Sequence, residues 1–411
     1  MKKRSILFVT VMVFSLAKLH AQTDAERIKA LEEKVDLLTK QVQAQQIQVQ
    51  QEDTTIAIIT KEEKKSMEEK WEEVKSRIPF KISGSVDAYV QTNFAGKHTN
   101  TVLNEVFPTK ANSFELGMLN LMMSKEIKKV GFMADIGFGP RAEAANNTLY
   151  ANTILAIKQL YMTYAPTDWV KFTLGNFSTY FGYELIEPQN NFHYSTSLAF
   201  QNGPFYHTGF KANFTKKNWN VLLGFFDDTD TKSDDDRNKY VGAQVGYTGS
   251  KVSTCLNFIG GNEPDTLFQR RYKFALGSTT SATLGKNGKG TLAIDLAYYR
   301  WLLKVNKKDD AKSNAQFASV YLYGKYAITD KAAIGARIGY LYNGDYAAPF
   351  VAGSSKQYAD FTLTSSYTIG GMLRLVPEFR LDYAKDKVFI GHNGEASNLQ
   401  YRLLLAAIFT F

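Results

Sequence analysis

From Phe80 onward the chain alternates apolar and polar residues in strand-length runs, and the links between those runs are long and short in turn. Phe80, Ile82, Gly84, Val86, Ala88 and Val90 interleave with Lys81, Ser83, Ser85, Asp87, Tyr89 and Gln91. Successive side chains of a strand point to opposite faces, so each run has one apolar and one wet face. The pattern predicts strands near 80–94, 113–126, 130–139, 154–165, 169–177, 203–215, 219–228 and 238–248. It continues near 251–260, 270–284, 290–303, 315–328, 332–343, 357–369, 372–385 and 399–411, sixteen strands in all. Long links fall at 95–112, 140–153, 178–202, 229–237, 261–269, 304–314, 344–356 and 386–398. Short ones separate them at 128–129, 166–168, 216–218, 249–250, 285–289, 329–331 and 370–371. A soluble sandwich has no reason to alternate its links in this way. A transmembrane barrel does, because its turns are short at the periplasmic rim and its loops long at the other. An even strand number brings both ends of the barrel to the periplasmic side.

The aromatic residues sort to two levels. Tyr164, Phe214, Tyr247, Tyr326, Tyr367 and Phe411, with Trp169 and Trp219, are expected to face outward at the short-turn rim. Phe138, Phe225, Phe258, Tyr298, Tyr340 and Tyr383 stand at the opposite rim. Amphipathic rings belong at the headgroup level, so two such belts imply outer-membrane lipid on one side and lipopolysaccharide on the other. The last strand, YRLLLAAIFTF, carries Tyr401, Leu403, Leu405, Ala407, Phe409 and Phe411 on one face. It resembles the terminal strand by which the barrel-assembly machinery takes up its clients.

The N-terminal part has a different character. MKKRSILFVTVMVFSLAKLHAQ combines a basic start, an apolar stretch from Ile6 to Ala17 and a small residue at Ala21, the features of an export signal over 1–21. The formal net charge is +9, and Lys2, Lys3, Arg4 and Lys18 supply four of those charges. What remains forms no basic run, so nucleic acid is not an expected partner. Residues 22–78 are rich in Gln, Glu and Lys, with Ile28, Leu31, Val35, Leu38 and Val42 at coiled-coil spacing. This predicts a short periplasmic α-helical coiled coil ahead of the barrel at 79–411. Its mixed Ile, Val and Leu positions do not choose between two and three strands, and the expected assembly is a homotrimer whose membrane-held barrels concentrate the helices.

Within the barrel one stretch resembles a known family. In GNFSTYFGYELIEPQNNFHYSTSLAFQNGPFYHTG the relevant pieces are Gly182-Tyr183-Glu184, Asn191, Tyr194-Ser195 with Ser197, then Pro204, His207 and Gly209. Together with IKQLYMTY at 157–164 they resemble the OmpL-like β-barrel porin-2 proteins of Bacteroidota. That resemblance implies a Gram-negative outer-membrane porin, a water-filled channel for passive diffusion of small hydrophilic solutes or ions, with no catalytic residues and no cofactor. A structural barrel tethered through its coiled coil to the cell wall or a partner protein is the alternative.

Other chemistry finds little support. The single cysteine, Cys255, excludes a disulfide framework. His193 with Glu184 and Glu187 makes a conceivable metal set, and Ser195 or Ser197 with His193 or His207 a conceivable hydrolase pair. No oxyanion turn accompanies the serines, and neither set outweighs a braced polar loop. Asp227, Asp228, Asp230 and Asp234 to Asp236 form an acidic loop without calcium-loop spacing.

The inward positions carry the functional expectation. Parity points Lys81, Asp87, Glu115, Arg337, Arg374, Glu378, Arg380, Asp382 and Arg402 into the bore. The longest link, 178–202, is too apolar to float in water and should fold against the inner wall. It brings Glu184 and Glu187 with it. About six strands separate its root from the seam of Lys81, Arg374, Arg380 and Arg402. Acid is thus expected to face guanidinium across a narrow neck, setting up a transverse field.

Overall fold

The computed structural model describes residues 80–411 apart from 96–97, 147–155, 235–236, 263–269, 286, 304–313, 345–347, 349–350, 352 and 354. It also describes residues 29, 33–35 and 37 of a separate N-terminal unit, Met1–Pro79. In that unit Lys29, Glu33, Lys34, Val35 and Leu37 are helical, with Val35 exposed. The signal segment 1–21 lies outside the described residues, as do the other coiled-coil positions Ile28, Leu31, Leu38 and Val42.

The second unit is a closed antiparallel barrel. Its first strands are β1 (Lys81–Asn93), β2 (Ser113–Ile127), β3 (Val130–Phe138), β4 (Ile157–Thr167), β5 (Val170–Ser178) and β6 (Tyr206–Lys216). Next come β7 (Trp219–Thr229), β8 (Tyr240–Thr248), β9 (Val252–Gly261), β10 (Arg270–Leu284) and β11 (Gly290–Leu303). Then follow β12 (Asn314–Ala327), β13 (Ala332–Gly344), β14 (Gln357–Ile369), β15 (Leu373–Ala384) and, after a short hairpin, β18 (Leu399–Thr410). Every strand pairs with its sequence neighbour, and β1 closes on β18 with Ser85 opposite Thr410 and Asn93 opposite Arg402. Gly84 and Phe411 exchange backbone hydrogen bonds of 2.9 and 3.1 Å at that seam. Closure leaves no strand edge unpaired, which a hydrocarbon surround demands. Among the described residues no helix is long and apolar enough to cross a membrane.

The strands match the sequence pattern to within a few residues, and the differences have local causes. β6 starts at Tyr206, after the expected 203, because Pro204 has no N–H and Asp230 takes the N–H groups of Phe205 and Tyr206 at 2.6 and 3.1 Å. Three small elements inside the long links were not expected. Helix α1 (Pro140–Ala145) opens on a proline. Helix α2 (Leu198–Gln201) has Ser197 accepting from Phe200 N at 3.1 Å. The hairpin β16 (Phe389–Ile390) and β17 (Ala396–Ser397) lies in the last link.

Parity holds for the outward aromatic belts. Tyr164, Trp169, Trp219, Tyr326, Tyr367 and Phe411 are exposed at the short-turn rim, with Phe138, Phe225, Tyr340 and Tyr383 at the other. The bore, however, is not evenly wet. Phe177, Phe181, Phe226, Tyr240, Tyr299, Trp301, Phe317 and Tyr321 point inward and are buried as one cluster. Tyr299 stacks on Phe317 with ring centroids 4.4 Å apart. Alternation marks which residues face inward, but it does not say whether water or a folded loop meets them there.

Candidate functional site: the loop across the bore

The third long loop, residues 179–205, is rooted where Gly175 of β5 opposes Gly209 of β6. Gly175 has φ +132, and a Cβ there would sit 2.3 Å from Leu160 O, so only glycine lets the strands approach this closely. A β-bulge between His207 and Gly209 adds a local bend. From this root the loop turns into the bore, since Phe181, Ile186, Leu198 and Phe200 must be buried and its backbone must find partners.

Its path can be followed by contacts. Tyr180 Oη donates to Phe258 O of β9 at 2.8 Å, and Gln244 of β8 donates to Tyr180 O at 3.1 Å. Tyr183 N donates to Asp295 Oδ2 of β11 at 3.3 Å, while its ring lies 4.6 Å from that of Tyr323 on β12. Glu184 meets Arg337 of β13 at 2.7 Å, both buried. Glu187 pairs with Lys158 of β4, which also lies 3.4 Å from Asp135 of β3. Arg374 of β15 donates to Pro188 O and Asn191 O at 2.6 and 2.8 Å. His193 Nδ1 bonds Thr364 Oγ1 of β14 at 2.7 Å. Glu378 of β15 accepts from Tyr194 N and Ser195 N at 2.9 and 3.2 Å. Tyr194 Oη reaches Asp87 of β1 at 2.5 Å. The loop is therefore a strap with hold points on β1, β4, β8, β9 and β11 to β15.

A second loop locks the strap. Glu105, in the first long loop, accepts from Arg380 at 3.0 Å, Arg402 at 2.5 Å and Thr196 Oγ1 at 3.2 Å. Arg380 also pairs with Asp382 at 2.8 Å. Arg141 of α1 donates to Ile186 O and Tyr194 O at 3.3 and 3.1 Å and lies 4.7 Å over the Tyr194 ring. Such charges persist in a dry interior only when matched by partners of this kind. Burial, followed by the nearby positive charges of Arg337 and Arg380, pushes His193 well below its ordinary pKa and keeps it neutral.

The expected residues are thus brought together, but in a different arrangement. The sequence expectation sets Glu184 and Glu187 across open water from Lys81, Arg374, Arg380 and Arg402. In the structure Glu184 touches Arg337, Glu187 touches Lys158, and Arg374 holds loop carbonyls. Arg380 and Arg402 are occupied by Glu105 and Asp382. No gap separates the charges, because acid buried this deeply is more stable in contact with a guanidinium than facing one across a space. Lys81 is exposed at the start of β1, and Glu115 is half-buried near the long-loop end, accepting from Ser113 Oγ at 2.6 Å. The reading missed Glu105, Lys158 and Arg141. Glu105 was findable: its loop carries Val102 and Phe107, both buried, and the argument applied to 178–202 applies there too.

The rival chemistries do not assemble. Among the described residues no group of His, Cys, Asp or Glu is placed to hold a metal. Glu184 and Glu187 are spent on cations. Ser195 Oγ accepts from Arg337 at 3.2 Å, Ser197 caps α2, and His207 Nε2 bonds Thr179 Oγ1 at 3.0 Å. Neither serine meets a histidine. In the acidic loop Lys239 pairs with Asp234 at 2.7 Å and Asp227 at 3.5 Å.

A family model described as "Putative beta-barrel porin-2, OmpL-like" matches residues 79–411. Among solved structures, the outer membrane channel DcaP of Acinetobacter baumannii is similar with a TM-score of 0.56 at 16% identity, covering 81% of this chain and 97% of its own. The anion-selective porin from Comamonas acidovorans gives 0.52 at 11% identity, covering 81% and 99%. The trimer form of OmpT, an outer membrane protein of Vibrio cholerae, gives 0.51 at 10% identity, covering 81% and 99%. At these identities the likeness is one of fold. No curated protein matches the sequence.

Proposed function

The chain belongs to the OmpL-like β-barrel porin-2 family and forms an outer-membrane channel for small solutes, and we propose that residues 179–205 are its constriction, through which hydrophilic solutes diffuse passively. The observation that carries this reading is the strap itself. A bore of sixteen strands is wide enough to stay open, and here one loop is tied by buried ion pairs to both sides of it. Glu184, Glu187, Arg337, Arg374, Glu378 and Asp87 hold the strap, and Glu105 with Arg380, Arg402 and Asp382 fixes its return limb. The strap leaves Gly182, Tyr183, Leu185 and Asn190 in contact with water, the edge past which solute moves.

The short turns face the periplasm in this account, which puts residues 22–78 there as well; the even strand number supports it. A homotrimer with a coiled coil at its periplasmic end is favoured by the heptad spacing of Ile28 to Val42 and by the trimer form of a structural relative. The outward aromatic belts suit phospholipid at one rim and lipopolysaccharide at the other, and the β18 pattern ending in Phe411 suits the assembly machinery. Family and fold favour a channel over an enzyme. Liposome swelling tests the central reading. Vesicles containing the purified protein should swell with small sugars and cease to swell as sugar size rises; no swelling at any size would overturn it.

A further inference from the structure

The strap covers most of the inward carboxylates, and the wet charges left in the bore toward the short-turn end are mostly cationic, with Glu115 half-buried at the long-loop end. Lys81, Lys211, Lys325 and Arg374 face inward with solvent access, and among the described residues none has a carboxylate in ion-pair contact. Inward carboxylates such as Asp87, Asp295, Asp360 and Glu378 are buried beneath the strap or in the wall. Toward the short-turn end the accessible acid is Glu126, which lies 3.9 Å from Lys171. At the mouth, Lys128, Lys129, Lys216, Lys217, Lys289 and Lys331 are exposed and outnumber Asp168 and Asp330. Two of the inward cations stand over rings, and Lys211 Nζ, 3.9 Å from the ring centroid of Phe177, has the buried one. Lys325 Nζ stands 5.3 Å over the Phe192 ring, and Phe192 and Tyr183 flank Tyr323 on the same strand, through His193 and by direct ring contact respectively. Tyr183 and Leu185 are each 38% exposed on the wet edge of the strap.

We propose that the channel selects small organic anions: a carboxylate seats on Lys325 while its apolar body lies against Tyr183 and Phe192, and Lys81, Lys211 and Arg374 extend the cationic path to the short-turn mouth. The inference rests on the channel reading and narrows it. Like-signed charge in a narrow bore with low-dielectric walls raises the local concentration of counter-ions and repels co-ions. At 0.1 M salt the screening length is about 10 Å, so wall cations act on any ion that passes within that distance. An ammonium beside a half-buried ring, with the exposed Tyr183 on the same strap, offers a carboxylate with an apolar body two contacts, where acetate finds one.

Planar bilayers with a tenfold KCl gradient supply the test. Wild-type channels should show discrete current steps and a reversal potential on the chloride side. Lys211→Gln with Lys325→Gln should move it severalfold toward equal permeability, while Lys211→Arg with Lys325→Arg should keep it. With potassium benzoate replacing potassium acetate, the wild type should pass or bind benzoate preferentially; Tyr183→Leu should lower that preference and Tyr183→Phe retain it. Heat-modified migration in SDS reports whether each variant forms a barrel, and the wild-type potential is informative without any variant. Steps with a zero or cation-side potential, or a potential unmoved by the glutamine pair, would overturn the proposal and leave the channel standing. Equal treatment of benzoate and acetate would overturn the choice of organic anions. Absence of steps would overturn both.

Discussion

Replacing Glu105 with glutamine removes the charge shared by two buried guanidinium groups. Glu105 accepts from Arg380 at 3.0 Å and Arg402 at 2.5 Å, and it also takes Thr196 Oγ1 at 3.2 Å and Gln201 Nε2 at 3.1 Å. After the change the paired carboxylate left to the two arginines is Asp382, 2.8 Å from Arg380 and 3.8 Å from Arg402, while Arg380 keeps its bond to Thr196 O at 2.7 Å. Breaking a buried ion pair by removing one partner costs about 3–5 kcal/mol. The barrel wall has its own ladder and should survive, so the loss should fall on the tie between the first and third loops. A loss of that size lowers the ratio of tied to untied loop by a factor of about 10² to 4 × 10³. Single-channel recording should then show flicker between the wild-type level and a larger one, and amides of residues 194–202 should exchange faster. Adding Arg402→Met should recover part of the loss, because one buried cation goes with its anion. A Glu105→Gln channel that still forms a heat-modifiable barrel and matches the wild type in both current noise and exchange would refute this role for Glu105.

Three further outcomes follow from individual residues. Gly175→Ala sets a Cβ 2.3 Å from Leu160 O at a positive φ, so the yield of heat-modifiable barrel on refolding should drop sharply, whereas Gly246→Ala, whose Cβ would meet nothing nearer than 3.7 Å, should lose far less. Burial raises the Asp230 carboxyl to about 6 despite its bonds from Phe205 N and Tyr206 N. Because its folded pKa lies above the unfolded value of 3.8, its favourable contribution is complete below that value and lost as pH rises through about 6; amide protection at Tyr206 should weaken over that window, and Asp230→Asn should flatten the dependence. Arg374→Met gives up two bonds to loop carbonyls, and the conductance step should grow and become noisier, with barrel yield held.

The wall of this protein was legible because a strand's period is two and a transmembrane barrel repeats it under a lipid constraint. Val86, Leu116 and Leu256 had to face outward, and they do. The inner arrangement was less legible, for two reasons. Inward parity treats Phe317 and Arg337 alike, since it carries no information on what occupies the bore. The partner of a buried charge is also chosen by three-dimensional path: Glu187 lies three residues from Glu184, yet one reaches Lys158 on β4 and the other Arg337 on β13. Irregularities hid further positions. Between Asp135 and Ile136 the pairing of β3 with β4 shifts, which brings Lys158 and Gln159, neighbours in sequence, to the same carboxylate. A simple alternation sends one of those two outward. Loop composition, by contrast, was a sound guide: the apolar content of 178–202 pointed to burial in the bore, and the same reasoning extends to Glu105's loop.

Shortening the strap gives the most direct test of the account. With residues 183–193 replaced by a short glycine link, Lys158 loses Glu187, Arg337 loses Glu184 and Arg374 loses two loop carbonyls, but all three gain water, so the barrel should still form. Single-channel conductance in symmetrical KCl should rise severalfold over the discrete steps of the wild type. A shortened channel whose step size equals the wild type's, or a wild type that never conducts, would contradict the claim that this loop sets the neck of a pore.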